Sequence, residues 1–147
     1  MYSPELIMIT LLLLVPIAAA VLLALFKPDI IRNIIVTVSA RRKNIVPIFG
    51  DATRPKEYAA LLEPADILYQ DVAQPNQAEI IVRHLPFLKK GGQVILMLKT
   101  RSVDIRKTPE EVFAESCAEL EAAGLTVEKG VWLNPYHIDH AAIVCRK

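Results

Sequence analysis

The stretch Gln93-Val-Ile-Leu-Met-Leu-Lys-Thr100 constrains the fold of this chain more than any other. Near-continuous apolar strands of this kind are buried on both faces, as in the interior of a parallel sheet. Lys89-Lys90-Gly91-Gly92 precedes it and reads as the close of a helix, with basic residues in the last turn and glycine beyond. That helix is expected over Asn76 to Leu88, and Ala65 to Gln70 before it reads as another strand. A strand–helix–strand unit follows, and parallel strands need such a crossover.

The flanking segments extend the alternation. Asn44-Ile-Val-Pro-Ile-Phe49 reads as a short strand that breaks at Gly50-Asp51-Ala52, with Pro47 costing it one ladder donor. Ile31, Ile34, Ile35 and Val38 have helical spacing within Ile30 to Arg42. Pro55 to Leu62 reads as a short helix with proline in its first turn. Thr108-Pro109-Glu110-Glu111 is a helix start with a cap, an initial proline and a capping-box acid, and Gly124 ends that helix after about Ala123. Leu125 to Leu133 and His137 to Cys145 are two last strands joined by an Asn134-Pro135-Tyr136 turn. The fold class is α/β: a parallel sheet with helices on both faces and an antiparallel C-terminal hairpin.

The apolar content of 53% is concentrated at one end. Leu6 to Phe26 carries no charge, and as a helix it would be roughly 31 Å long, enough to cross a hydrocarbon core. Every basic residue follows it, beginning with Lys27, Arg32 and Arg41-Arg42-Lys43, so an inserted segment would leave the remainder in the cytoplasm. Glu5 stands where a cleaved signal would be basic. The competing reading is a buried strand–turn–helix piece of a sheet. The expected organisation is therefore an apolar segment over 1–27, a candidate membrane helix, and a domain over 28–147. A net charge of +1 argues neither for nor against nucleic acid. Cys117 and Cys145 match no metal spacing and read as reduced packing residues.

Ligands of open α/β sheets sit beyond the carboxyl ends of the strands. In Ala65-Asp-Ile-Leu-Tyr-Gln-Asp-Val-Ala-Gln-Pro-Asn-Gln77 an apolar segment ends on Asp71 and breaks into a loop bearing Gln74, Asn76 and Gln77. A turn made of its usual residues would look the same. Asp51 and Lys99 end the neighbouring strands, which places three charged groups at one rim, and His140 adds a fourth polar group. His84 lies in a helix with no motif around it, and His137 reads as polar surface.

Four segments carry a resemblance to fibrillarin, particularly the archaeal fibrillarin-like RNA 2′-O-methyltransferases. They are Arg42 to Ala52, Tyr69-Gln-Asp-Val-Ala-Gln-Pro-Asn-Gln77, Lys99-Thr-Arg-Ser102 and Pro135-Tyr-His-Ile-Asp-His-Ala141, in family order and spacing. The resemblance implies a class I (Rossmann-like) methyltransferase sheet that binds S-adenosyl-L-methionine. It implies that Asp51 and Ala52 lie against the adenine, and that Asp71, Val72, Ala73 and Gln74 line the methionine side and the reaction centre. The family's catalytic groups are a lysine, an aspartate, a second lysine and a histidine. The last three fall on Asp71, Lys99 and His140. By position, Arg101, Arg106 and Lys107 follow Lys99 in a loop at the same rim and read either as contacts to RNA phosphates or as a solvated loop. No metal is required, because the methyl donor is already activated as a sulfonium. Implied partners are a guide RNA and its target rRNA or tRNA, a Nop-type scaffold protein and a kink-turn-binding protein.

The family's glycine loop and first strand have no counterpart in Leu6 to Ala20, and the acid that takes the cofactor's ribose would fall on Leu25. The first catalytic lysine is not identified either. Three readings follow: an RNA 2′-O-methyltransferase; a membrane-attached, catalytically silent relative acting as a binding module for RNA or a ribonucleoprotein scaffold; and a truncated or fused product.

Overall fold

A computed structural model describes residues 36–42 and 44–147 of the chain. A boundary between two compact units falls after Ile48. The apolar segment Leu6 to Phe26 lies outside the described residues, and with it Leu25 and the stretch Leu6 to Ala20 where the family's glycine loop has no counterpart. Among the described residues, no helix is long and apolar enough to cross a membrane.

Within the first unit, residues 36–40 are helical, in keeping with the expected apolar spacing. The Ser39 hydroxyl donates to Val36 O at 2.9 Å. The strand expected over Asn44 to Phe49 does not form. Pro47 cannot donate to a ladder, and among the described residues no strand pairs with this segment.

The second unit begins with two 3₁₀ turns, Pro55–Glu57 and Ala59–Leu61, in place of the single helix expected there. Strand β1 (Ala65–Gln70) follows, then helix α1 (Gln77–His84) and strand β2 (Leu88–Lys99). Helix α1 is shorter than the sequence suggests. It tightens into a 3₁₀ turn over Leu85–Phe87, where Pro86 supplies no N–H for continued α-helix. Lys89 to Gly92 is therefore strand rather than helix cap. The Lys147 ammonium donates to Leu85 O at 2.6 Å and Leu88 O at 2.7 Å, taking up carbonyls at this turn.

A helical turn, α2 (Thr100–Val103), leads to helix α3 (Pro109–Ala122). Thr108 and Glu111 form the expected capping box, and Gly124 adopts φ +89° beyond the end, where a side chain would be strained. Strands β3 (Thr126–Trp132) and β4 (His140–Arg146) complete the order. The sequence suggested a β4 starting at His137. Asp139, at φ 57°, delays extended backbone until His140.

The sheet order is β1-β2-β4-β3, with β1 and β2 parallel and both other pairs antiparallel. Val94, Leu96, Leu98, Ile143 and Cys145 point to one face and are fully buried there. Helix α1 brings Ala78 and Ile81 to them, and α3 brings Val112 and Leu120. Spacing of i, i+4, i+8 across Val112, Ser116 and Leu120 makes one buried stripe. Both of these helices thus cover the same face of the sheet. A bulge at Glu128 keeps Val127, Gly130 and Trp132 directed inward, and Phe113 sits over Gly130 with its ring 5.4 Å from that of Trp132. On the other face Ile67 and Tyr69 of β1 remain exposed.

Candidate functional site

Side chains alternate across a strand, so register decides which polar groups meet. Leu98 points into the helix-covered core and Lys99 therefore to the opposite face. Lys99 pairs directly with His140 across β2 and β4, placing the two side chains next to each other on that face. Gln70 is buried toward α1, so Asp71, one residue on, reaches the Lys99 side. The Lys99 ammonium lies 2.8 Å from Asp71 Oδ1. Three residues singled out from sequence thus come together at one end of the sheet.

Backbone clamps hold this trio. Gln77 is almost completely buried and meets the Lys99 peptide twice: its amide donates to Lys99 O at 3.1 Å, and Lys99 N–H donates to its oxygen at 3.0 Å. Gln70 donates to Gln77 O at 2.7 Å, which ties the end of β1 to the start of α1. His140 Nδ1 lies 2.7 Å from Ile138 O, so the ring donates there and turns Nε2 outward. Sequence reading placed Gln77 in a polar loop and missed the clamp. Its signal was an amide at the first turn of a helix that follows a strand-end acid.

Asp51 sits on a turn rather than at a strand end. Its Oδ1 accepts from the Thr53 N–H and hydroxyl, both at 2.8 Å, and these two bonds hold its carboxyl below the usual range. The turn is nevertheless tied to the start of α1. Arg83 donates to Thr53 O and folds back along the helix to Glu79. Glu79 in turn accepts from Asn76, the residue before the helix, at 3.1 Å. Asp51 and Ala52 are therefore linked through Arg83 and Glu79 to the loop that Asp71 opens. A depression of about 620 Å³ beside this turn is lined by Thr53 to Glu57, Arg83, Pro86 and Phe87, and none of the Asp71–Lys99–His140 trio borders it.

Arg101, Arg106 and Lys107 each have a carboxylate partner. Arg101 donates to Asp139 at 2.9 Å, Arg106 to Asp104 at 2.9 and 3.0 Å, and Lys107 to Glu115 at 2.6 Å. His84 lies apart from the trio, between Tyr58 and Ile80 O. Among the described residues no cluster of His, Cys, Asp and Glu could hold a metal ion.

The residues fit one side of a nucleoside-sulfonium cofactor. Asp51 offers an acceptor for an exocyclic amine beside the Ala52 backbone, and the largely exposed Asp71 to Gln74 loop opens beside Lys99 and His140.

Comparison with known proteins identifies the family. The family model described as Fibrillarin matches residues 15–147. A fibrillarin-like rRNA/tRNA 2′-O-methyltransferase from Methanoculleus marisnigri is 58% identical over 110 residues, covering 75% of this chain and 54% of the relative. Aeropyrum pernix fibrillarin, solved with natively bound S-adenosyl-L-methionine, superposes with a TM-score of 0.69 at 42% identity, over 82% of this chain and 52% of that one. Fibrillarin from a fibrillarin/Nop5p complex gives 0.70 at 39% identity, over 75% and 53%. The chain spans about half the length of the curated relatives it matches. A family match over most of its residues, joined to the shared α/β sheet, makes this chain a member of the fibrillarin family.

Proposed function

We propose that this chain carries the reaction centre for 2′-O-methylation of ribose in rRNA or tRNA, with S-adenosyl-L-methionine as donor. The observation that carries the reading is the Lys99–Asp71 contact of 2.8 Å, with His140 across the strand pair from Lys99. When bound, the cofactor supplies a methyl group already activated on a sulfonium. What the protein must supply is orientation and proton handling, since a ribose hydroxyl is a poor nucleophile.

The Lys99 ammonium, held beside Asp71, serves to hold the hydroxyl and stabilise the developing alkoxide. Asp71 Oδ1 is engaged by Lys99, which leaves Oδ2 to accept the hydroxyl proton. His140 Nε2, turned outward by the bond at Nδ1, borders the same space and contacts the RNA sugar. Asp51 and Ala52 hold the adenine, and Asp71, Val72, Ala73 and Gln74 the methionine side. Arg101, Arg106 and Lys107 meet phosphates by exchanging their carboxylate partners for RNA.

The enzyme's fibrillarin relative in complex with Nop5p supports a scaffold of the same type for this chain. A guide RNA, its target and a kink-turn-binding protein complete the proposed assembly, in which guide pairing selects the nucleotide. The test is transfer of labelled methyl from S-adenosyl-L-methionine to a guide-paired target by the full chain assembled with those partners. Label at the guided 2′-oxygen that disappears in K99M supports the reading. Cofactor and RNA binding without transfer would instead leave a silent binding module.

A further inference from the structure

Among the described residues, Asp139 alone adopts a positive φ without being glycine, at 57°. An L-residue keeps that conformation when its surroundings impose it, and such positions gather at functional sites. Three bonds impose it here. The buried Thr100 sends its N–H, at 3.1 Å, and its hydroxyl, at 2.8 Å, to Asp139 O. Arg101 Nε donates to the Asp139 carboxylate at 2.9 Å. Thr100 and Arg101 directly follow Lys99, so the end of β2 grips the residue that precedes His140.

That grip reaches the imidazole through the backbone. The carbonyl 2.7 Å from His140 Nδ1 belongs to Ile138, on one side of Asp139, while His140 lies on the other. The torsions of Asp139 alone relate these two neighbours. With φ at 57° the Ile138 carbonyl meets the ring; at a negative φ it would swing away and leave Nδ1 without that acceptor. A carbonyl has no proton to give, so Nδ1 carries the hydrogen, and in the neutral ring Nε2 then carries a lone pair. The His137 ring, 5.4 Å from the His140 ring, flanks it.

We propose that Asp139 is a positioning residue: its left-handed backbone, locked by Thr100 and Arg101, fixes His140 as the Nδ1–H tautomer with Nε2 presented beside Lys99. Its bearing on methyl transfer rests on the proposed function, whereas the tautomer does not. Two of the three bonds run from Thr100 to the Asp139 carbonyl. Arg101 can therefore turn to an RNA phosphate while the ring stays fixed.

The test is a long-range proton–nitrogen correlation spectrum of the imidazoles in the full chain, with the His140 signals assigned by their loss in His140→Gln. It is recorded at about pH 8, above the ordinary imidazole range. Wild-type His140 should show a protonated Nδ1 and a bare Nε2. Asp139→Ala, whose side chain resists positive φ, should give a mixture of both tautomers. Asp139→Gly and Asp139→Asn should keep the wild-type pattern, since both residues adopt the left-handed region. Neither carries the carboxylate, so this order separates the backbone from the charge.

In the assembled complex, D139A should lower kcat for methyl transfer by about 10²-fold, the loss that a misplacement of about 1 Å can cause. KM for RNA should change little, and D139G should restore most of the rate. An Nε2–H tautomer in the wild type, a D139A spectrum like that of the wild type, or a D139G as disturbed as D139A overturns the proposal. Wild-type transfer by D139A with its tautomer lost overturns the role in the reaction and leaves the methyltransferase reading. The expected tautomer order in an assembly that transfers no methyl supports the positioning and sinks the enzymatic reading.

Discussion

Gln77 hydrogen-bonds both backbone groups of Lys99, donating to its carbonyl and accepting from its N–H. A side chain here completes what a neighbouring strand would otherwise supply. The consequence is that the last residue of β2 is fixed by helix α1, and the Lys99 side chain is aimed at Asp71. Gln77→Leu should leave two backbone groups without partners in a partly buried setting. At about 1–3 kcal/mol for each, a loss of about 2–6 kcal/mol in urea-unfolding free energy is expected. A change below about 0.5 kcal/mol would mean the clamp is not holding the strand.

Lys99 and Asp71 should separate stability from chemistry. Their pair is partly exposed, at 27% and 46%, and such pairs contribute about 0–1 kcal/mol. Lys99→Met should therefore unfold near the wild-type urea midpoint. Its methyl transfer in the assembled complex should fall by about 10²–10³-fold, the usual loss when a group stabilising the transition state is removed. Lys99→Arg should rescue little, because a planar guanidinium fork does not reproduce a compact ammonium. Transfer within twofold of wild type in Lys99→Met would remove this lysine from the reaction.

Much of this arrangement was legible in the chain. The apolar run before Lys99 marked the central strand, and Thr108 with Glu111 marked the start of α3, because both signals are local. Asp71, Lys99 and His140 were legible as a group through strand ends and matched segments. Helix α1 was misjudged at its end because Lys89-Lys90-Gly91-Gly92 has the composition of a cap, while Pro86 had already stopped the helix. Asn44 to Phe49 looked like a strand because it is apolar, yet a strand exists only by pairing, and Pro47 weakens that. The Gln77 clamp is a tertiary contact between residues 22 apart in sequence, which no periodicity announces. The bracing of Asp139 by Thr100 and Arg101 spans a greater distance still and escaped notice for the same reason.

Asp104 should give the protein an acid-side dependence. The Arg106 side chain, and then its backbone N–H, hold the Asp104 carboxyl down to about 2 from 3.8. A depressed folded value means the stabilisation is complete above the unfolded value and is lost as pH falls through the folded one. Comparing wild type with Asp104→Asn by urea unfolding should show a gap that is steady above about pH 5. It should close between about pH 4 and pH 2. A gap that stays constant through that window would show that the carboxylate is not the source.

Thr108 caps α3 reciprocally: Glu111 N–H donates to its hydroxyl at 3.2 Å, and the Thr108 N–H donates to Glu111 at 2.8 Å. Thr108→Ala should cost about 1 kcal/mol, and Thr108→Ser much less, because serine keeps the acceptor. Equal losses in the two variants, read from thermal melts, would assign the effect to packing of the threonine methyl instead.

Cys145 reports on the whole sheet. It is fully buried in β4, and burial pushes its thiol up to about 11. Cys117 on α3 is only partly buried, though burial raises its thiol as well. The thiolate is the nucleophile, so at pH 8 an alkylating reagent should modify Cys117 first. Cys145 should react only when the sheet opens, at a rate set by the population of the open state. Mass spectrometry of timed samples should then show Cys145 labelling accelerated by low urea and by Gln77→Leu, with Cys117 affected far less. Prompt labelling of Cys145 in native buffer, at the rate seen in denaturant, would mean that β4 is not locked between β2 and β3.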